Sequence, residues 1–417
     1  MKILLIHQYF LEQDDPGGSR FNEMTKVWVE DGHQVTVLCG MLNYVTGKVP
    51  SKYNRMKYHL AIYSPGLEVL RCYVSSEYNT GFLGRLWAYF SFVWFGLGGT
   101  LFKLRKQKYD VIVATSPPLF IGIIAWMTSK WKRIPYVFEV RDLWPESAID
   151  TGVLTNPMMI RFAFWFERFV YRGAYLINVL TPAFRDILIA KKKIDPEKIL
   201  FIPNACDFTL SDTLLTTFNA TAFRKEHGWA GQFVITYVGA HSVANHLIQL
   251  LDAAEHLKRS TSTIRIVLIG DGTQKKMLMQ IAKHRDLTNV EFIGSMPKRE
   301  VIKFILASDA GTSVLKKVDT FKTVYSNKTF DYMACKKPVI MVIDGVSRAL
   351  VEEAHCGVYA EPENVTDLVE KMLRLSQEKE QSQQMGERGY FFAKKHFDRQ
   401  VLSQQYISEI KKRITRV

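Results

Sequence analysis

The sequence lacks the features that mark several common protein classes. Only five of its 417 residues are cysteine, at positions 39, 72, 206, 335 and 356. The number is odd, none stands at metal-ligand spacing, and several lie in apolar contexts. That pattern fits small buried thiols in a reducing compartment and argues against a disulfide scaffold or a structural zinc. There is no low-complexity tract, no long polar tail, and no helix-turn-helix, zinc-finger or RNP-type motif. Nucleic acid is therefore not expected as a partner despite the net charge of +14. Met1 leads straight into KILLIHQYF, a short apolar run without a cleavage site, which fits a first strand in a cytoplasmic protein rather than a signal peptide. Nor is there an Asp-x-Asp pair, the kind of clustered carboxylate with which a divalent metal holds a diphosphate. Any phosphates would be met by backbone amides, helix dipoles and basic side chains, with no metal and no organic cofactor.

What is present is an alternation of strands and helices. The apolar fraction, 47%, suits a globular chain, and the length suits two or three domains. KILLIHQY (2–9), QVTVLCG (34–40), VIVATS (111–116), PYVFEV (135–140), AYLINVLT (174–181) and ILFIPNA (199–205) read as buried parallel strands. Helical segments separate several of them; in 19–32, Phe21, Met24, Val27 and Trp28 share one face. After a polar, turn-rich stretch near 206–232, a second series begins: FVITYVG, IRIVLIG, VEFIG, AGTSVL, PVIMVI and GVYA. The fold expected is α/β, with two doubly wound parallel-sheet domains over 1–205 and 206–385, and a last helical stretch over 386–417 packing back on the first. In such sheets ligands bind beyond the carboxyl ends of the strands, so the loops there are where chemistry is sought.

Five stretches stand out. HQYFLEQDDPGGSR follows the first strand; Gly17 and Gly18 permit a tight turn, and exposed amides at the next helix start could hold an anion. IGDGTQKK carries Gly270 and Gly272 but Lys275 where a dinucleotide fingerprint has its third glycine, with Glu291 about twenty residues on. It is read as a structural strand-to-helix turn. FEVRDLWPES ends a strand with Glu139, Arg141, Asp142 and Glu146 close together, candidate acids and bases; the plainer alternative is an Arg141–Asp142 surface pair with Trp144 in the core. From Leu86 to Phe102 no residue is charged, and Trp87, Trp94 and Phe95 are among its aromatics. The flanks are basic, eight Lys or Arg against one acid over 81–133. This run is short for a transmembrane span but suits docking on an anionic inner-membrane surface; the alternative is a buried helix. Finally, VLKKVDTFKTVYSNKTFDYMACKKPVI places Lys316, Asn327 and Lys328 near a helix start and Asp331 one turn inside it. Loop amides and lysines there could hold a diphosphate, and Asp331 could accept both hydroxyls of a ribose.

At this point a family resemblance emerges. YSNKTFDYMACKKPVI, YVGAHSVANHLIQLLDAAEHL, LIGDG, NVEFIGSMPKREV, FEVRDLWPES and FIPNACD, together with GHQVTVLCGMLNYVTGKVP, resemble the GT4-type glycosyltransferases with the GT-B fold, most closely the branch that builds bacterial O-antigen and capsule sugars. The resemblance implies two Rossmann-like domains facing across a cleft, a nucleotide-sugar donor on the second, and metal-independent transfer with retention. It implies that Gly239 belongs to the donor-binding loop, that Asn327 and Lys328 match the phosphate-side loop, and that Asp331 takes the place of the second acid of the family's E-x7-E motif. Three departures are visible. Thr323 stands where the first acid belongs, AHSVANH replaces a loop that carries a diphosphate-clamping cation and offers only His241 or His246, and Lys336 replaces a glycine. Lys316, Lys328 or Arg20 is expected to supply the missing charge. The expected activity is that of a hexosyltransferase moving a sugar from a nucleotide diphosphate, expected to be UDP, to a lipid-linked saccharide acceptor in cell-surface polysaccharide synthesis, peripheral to the cytoplasmic face of the inner membrane. Asp142 and Glu146 would position the acceptor. The alternatives are a nucleotide-sugar 2-epimerase of the same architecture and a catalytically degenerate binding or scaffold protein.

Overall fold

The computed structural model describes the chain except residues 13, 14, 16, 18, 19, 44–46, 80, 261, 262 and 415–417. The chain divides into two compact units, Met1–Pro203 with Gln400–Val417, and Asn204–Arg399.

The first unit is built on eight strands: β1 (Lys2–Ile6), β2 (Gln34–Gly40), β3 (Tyr58–Ser64), β4 (Leu67–Cys72), β5 (Val111–Thr115), β6 (Tyr136–Val140), β7 (Leu176–Val179) and β8 (Ile199–Phe201). Their order across the sheet is β3-β4-β2-β1-β5-β6-β7-β8. All neighbours pair parallel except β3 and β4, an antiparallel hairpin closed at Pro65-Gly66. The sequence reading did not anticipate this hairpin. None of β3 is buried, so it lacks the core-facing alternation by which strands are recognised. The central strands carry the core because Ile, Leu, Val and Phe occupy both of their faces, as a sheet covered on both sides requires. The helix Arg399–Ile414 joins this unit at its far end, where Trp28 Nε1 donates to the Ser403 carbonyl at 2.9 Å.

The second unit has six parallel strands: β9 (Phe233–Val238), β10 (Ile264–Ile269), β11 (Val290–Ile293), β12 (Ala310–Val314), β13 (Val339–Val342) and β14 (Gly357–Tyr359), in the order β11-β10-β9-β12-β13-β14. The order reverses between β9 and β12, which makes the carboxyl ends of those two strands the topological switch point. The stretch near 206–232, read from sequence as turns, contains the helices Phe208–Thr217 and Ala220–Glu226, with Asp207 and Asn219 as their N-caps. The helix Lys379–His396 belongs to this unit and not to the first: at Gly386 it passes so close to the Lys336 carbonyl that a Cβ would stand 2.1 Å from it. The return to the first unit therefore begins near 400, later than the sequence boundary of 386.

Candidate functional site

In the second unit the loops after β9 and β10 lie against each other. Gly270 has φ +142° and Gly272 φ +156°, and a Cβ on them would stand 2.0 Å from the Gly239 carbonyl oxygen and 2.5 Å from that of His241. Only glycine permits this approach. The partial glycine motif thus serves loop packing. Lys275, in the third-glycine place, donates to the Gly270 and Ile293 carbonyls at 2.8 and 3.0 Å, and Glu291 accepts from Trp229 Nε1 at 2.9 Å.

The helix Asn327–Ala334 is set on the switch point by Tyr332. Its buried hydroxyl donates to the Thr312 carbonyl and accepts from the Val238 amide, each at 3.1 Å. A Cβ on Gly311 would lie 2.3 Å from the Tyr332 ring, so the helix sits directly on β12. This places Lys328 beside Gly239, its ammonium 4.9 Å above the Tyr237 ring and 3.5 Å from Ser326 Oγ. Burial pushes the Lys328 pKa down to about 8, and Asp331 pulls weakly the other way. Asp331, partly exposed, pairs with Lys298 at 3.7 Å. Asn327 Oδ1 accepts from Asn204 Nδ2. Lys316 brings the loop after β12 to the loop after β9 through its amide, 2.8 Å from the Ala244 carbonyl. Gly239, Lys316, Asn327, Lys328 and Asp331 thus gather at one switch point. Nearby Lys317 and Lys322 are engaged by Glu361 and Asp319, at 2.7 and 2.9 Å. His241 is not the missing cation: it is buried with neither ring nitrogen hydrogen-bonded, and burial followed by the charge of Lys275 lowers its pKa to about 4.

The first unit departs from the sequence reading at two charged positions. Arg20 and Glu139 are both buried and bound to each other, Nε to Oε1 at 3.1 Å and Nη2 to Oε2 at 3.0 Å. Arg20 also donates to the Ile202 and Pro203 carbonyls, and Asn178 Nδ2 donates to Glu139. Arg20 is therefore a core ion pair and not a diphosphate ligand, and Glu139 is not a free acid. Gly17 is exposed with φ +134°; Gly18 lies outside the described residues.

Beyond β6, Asp142 accepts from Ser147 Oγ at 2.7 Å, and its pKa is raised by burial and then by Glu146. Glu146 opens the helix Glu146–Asp150 and accepts at Oε1 from Lys192 Nζ at 2.6 Å. The same ammonium donates at 2.5 Å to Glu167, whose carboxyl burial lifts to about 7 against the pull of Lys192. Glu146 Oε2 is buried without a hydrogen-bond partner, an acceptor left open for a hydroxyl. Glu167 and Lys192 escaped sequence reasoning because 25 residues separate them and no spacing signals their meeting. Near the end of β1, His7 Nδ1 and both amide atoms of Gln8 are likewise buried and unpartnered.

The apolar run 82–103 forms the helix Phe82–Gly98 and a π-helical turn, Gly99–Lys103. Trp87 and Trp94 are 61% and 76% exposed. Phe95 is instead half-buried, its ring edge-on to Tyr73 at 5.0 Å and to Tyr58 at 6.1 Å, so packing already occupies it. Among the described residues no helix is long and apolar enough to cross a membrane.

Comparison with known proteins divides the chain in the same place. A glycosyl transferase 4-like domain family matches residues 17–205, and the glycosyl transferases group 1 family matches 219–391. An uncharacterized glycosyltransferase of Methanocaldococcus jannaschii is 26% identical over 54% of this chain; the match spans 59% of that relative's length. Among solved structures, sucrose-phosphate synthase from Thermosynechococcus elongatus superposes over the whole of both chains with a TM-score of 0.76 at 13% identity. HepE of Anabaena, solved with UDP-glucose, gives 0.70 at 19% identity over 99% of this chain and 100% of that one. WaaG, a glycosyltransferase involved in lipopolysaccharide biosynthesis, gives 0.69 at 13% identity over 97% of this chain and 98% of that one.

Proposed function

The chain belongs to the glycosyltransferases, a 4-like domain followed by a group 1 domain with the GT-B fold, and from that premise we propose that it transfers a sugar from a nucleotide diphosphate-sugar to a lipid-linked saccharide. The observation that carries the reading is the gathering of Lys328, Asn327 and Asp331 around the Gly239 loop at the second unit's switch point. A lysine with a depressed pKa and, among the described residues, no carboxylate in close contact is a ready partner for an anion. In this reading Lys328, Lys316 and the first-turn amides of the helix take the diphosphate, and Asp331 takes the ribose hydroxyls. As the glycosidic bond to the donor breaks, negative charge grows on the departing diphosphate, and the same groups stabilise it without a metal. The donor is read as UDP-linked, in keeping with the UDP-glucose complex of HepE. Thr323 stands where an acid that contacts donor-sugar hydroxyls belongs, so the donor sugar is held by other groups.

Asp142 and Glu146 are assigned to the acceptor, with the open Oε2 of Glu146 as the atom that receives its hydroxyl. Transfer with retention, a hexosyl donor, a role in O-antigen or capsule synthesis and a peripheral membrane location complete the proposal. The test is incubation with a panel of labelled nucleotide sugars and an undecaprenyl-linked saccharide. Label in the lipid fraction supports transfer. Interconversion of UDP-sugars without acceptor points to an epimerase, and UDP binding without turnover points to a scaffold.

A further inference from the structure

The helix Pro157–Gly173 buries one face and leaves the other, which is unusually apolar, in solvent. Met158 is 81% exposed, Phe162 54% and Trp165 58%. Their spacing, four and then three residues, puts them in one stripe along the helix. Arg161, Arg168 and Arg172, all exposed, run alongside that stripe. The helix's one acid, Glu167, is buried on the opposite face. Three large apolar side chains beside three cations, with no acid on that face, are ill suited to water and well matched to a negatively charged apolar surface.

Buried rings join the stripe to the aromatic side of the helix Phe82–Gly98. Phe90, partly exposed there, lies 4.9 Å from the Phe120 ring; Phe120 stacks on Phe166 at 5.4 Å, and Phe166 on Phe162 at 6.2 Å. The intervening helix, Ile121–Lys132, crosses both neighbours closely: a Cβ on Gly96 would stand 2.7 Å from Ile124, and one on Gly122 2.5 Å from Val170. The three helices therefore behave as one slab.

We propose that the helix Pro157–Gly173 docks on an anionic lipid bilayer, its aromatic stripe in the headgroup boundary and its arginines on lipid phosphates. This inference rests on the reading that the acceptor is lipid-linked, and it adds a consequence. The same helix holds, on its inner face, the Glu167 that fixes Lys192 and Glu146. Docking would thus set the acceptor-binding acids at a fixed depth below the membrane surface. The charge of the stripe favours a bilayer over a protein partner, since phosphates pair with all three arginines at once.

The test is co-sedimentation of the full chain with vesicles of phosphatidylglycerol and phosphatidylcholine, and with phosphatidylcholine alone. The wild type should bind the anionic vesicles and release them at high salt. Phe162→Ser with Trp165→Ser should lower binding about tenfold. Arg161→Gln with Arg168→Gln and Arg172→Gln should lower it by about a hundredfold on anionic vesicles, with little change on neutral ones. Both variants should keep the wild-type melting temperature and UDP affinity. Unchanged vesicle binding in both variants, equal binding to neutral vesicles, or a change of oligomeric state with vesicle binding intact would overturn the proposal. Transfer to a water-soluble acceptor, assayed alongside, separates this outcome from failure of the transferase reading: a docking failure leaves that transfer intact, whereas a wrong function abolishes it in the wild type.

Discussion

Lys328 offers the sharpest single prediction. Its pKa in the free protein is about 8, held down by burial. A nucleotide diphosphate placed against it favours the charged form, so the pKa must rise on binding. UDP affinity should then be flat below pH 8 and fall tenfold per pH unit above it, until the bound-state pKa is reached. At pH 9.5 the loss is about thirtyfold, ~2 kcal/mol, because each unit of pH above the free pKa costs about 1.4 kcal/mol. The phosphates of UDP are already ionised over this range and add no opposing slope. Calorimetric titration with UDP at pH 7.0, 8.5 and 9.5, in buffers of different ionisation heat, reads both affinity and proton uptake. Uptake should be near zero at pH 7 and approach one proton at pH 9.5. Lys328→Arg, always charged, should abolish both the uptake and the pH slope. Lys328→Met should weaken binding at pH 7 by about 1.5–3 kcal/mol, the range for a charged hydrogen bond. A wild-type affinity that stays constant from pH 7 to 9.5, without proton uptake, would mean that Lys328 does not meet the diphosphate.

Other perturbations separate the two units. Asp331→Ala should weaken UDP binding by about 1–3 kcal/mol; unchanged affinity removes it from the ribose site. Arg20→Met leaves Glu139 buried and unpaired and should cost about 3–5 kcal/mol in urea unfolding, with UDP affinity per folded molecule unchanged; loss of affinity at wild-type stability would restore Arg20 to the donor site. Gly270→Ala must push the Gly239 loop aside and should cost roughly 2–4 kcal/mol and weaken UDP binding as well, a result checked by thermal unfolding with and without ligand. Glu167 has its carboxyl raised from 4.5 to about 7. A raised carboxyl contributes stability below its unfolded value, and that contribution is lost as pH climbs through 7. Glu167→Gln should therefore flatten the stability change between pH 5 and 8 by about 3 kcal/mol, and parallel curves for variant and wild type would contradict the assignment.

All strands but β3 and β4 were legible in the sequence because a strand covered on both faces is a continuous apolar run, and each run found there became a strand. The hairpin β3–β4 was missed because β3 lies at the sheet edge with no buried residue. The residues proposed for the donor came from the family resemblance, and they stand together because Tyr332 ties one short helix to two strands. The loop charges were harder to read. Arg20 looked like an anion ligand beside a glycine turn, but its partner is Glu139, 119 residues away. The acids of FEVRDLWPES were visible, but not the lysine that bridges Glu146 to Glu167, because that contact exists only after the helices pack. The helix Pro157–Gly173 escaped notice because a segment apolar on nearly every side resembles core, and only its exposure sets the outer stripe apart.

In this reading the switch point of the second unit holds the nucleotide diphosphate. A crystal structure of the protein with UDP tests it most directly. A phosphate oxygen should lie about 2.7–3.0 Å from Lys328 Nζ, with both ribose hydroxyls donating to the Asp331 carboxylate. UDP bound elsewhere, or bound here with Lys328 still over Tyr237 and out of reach of the phosphates, would contradict it.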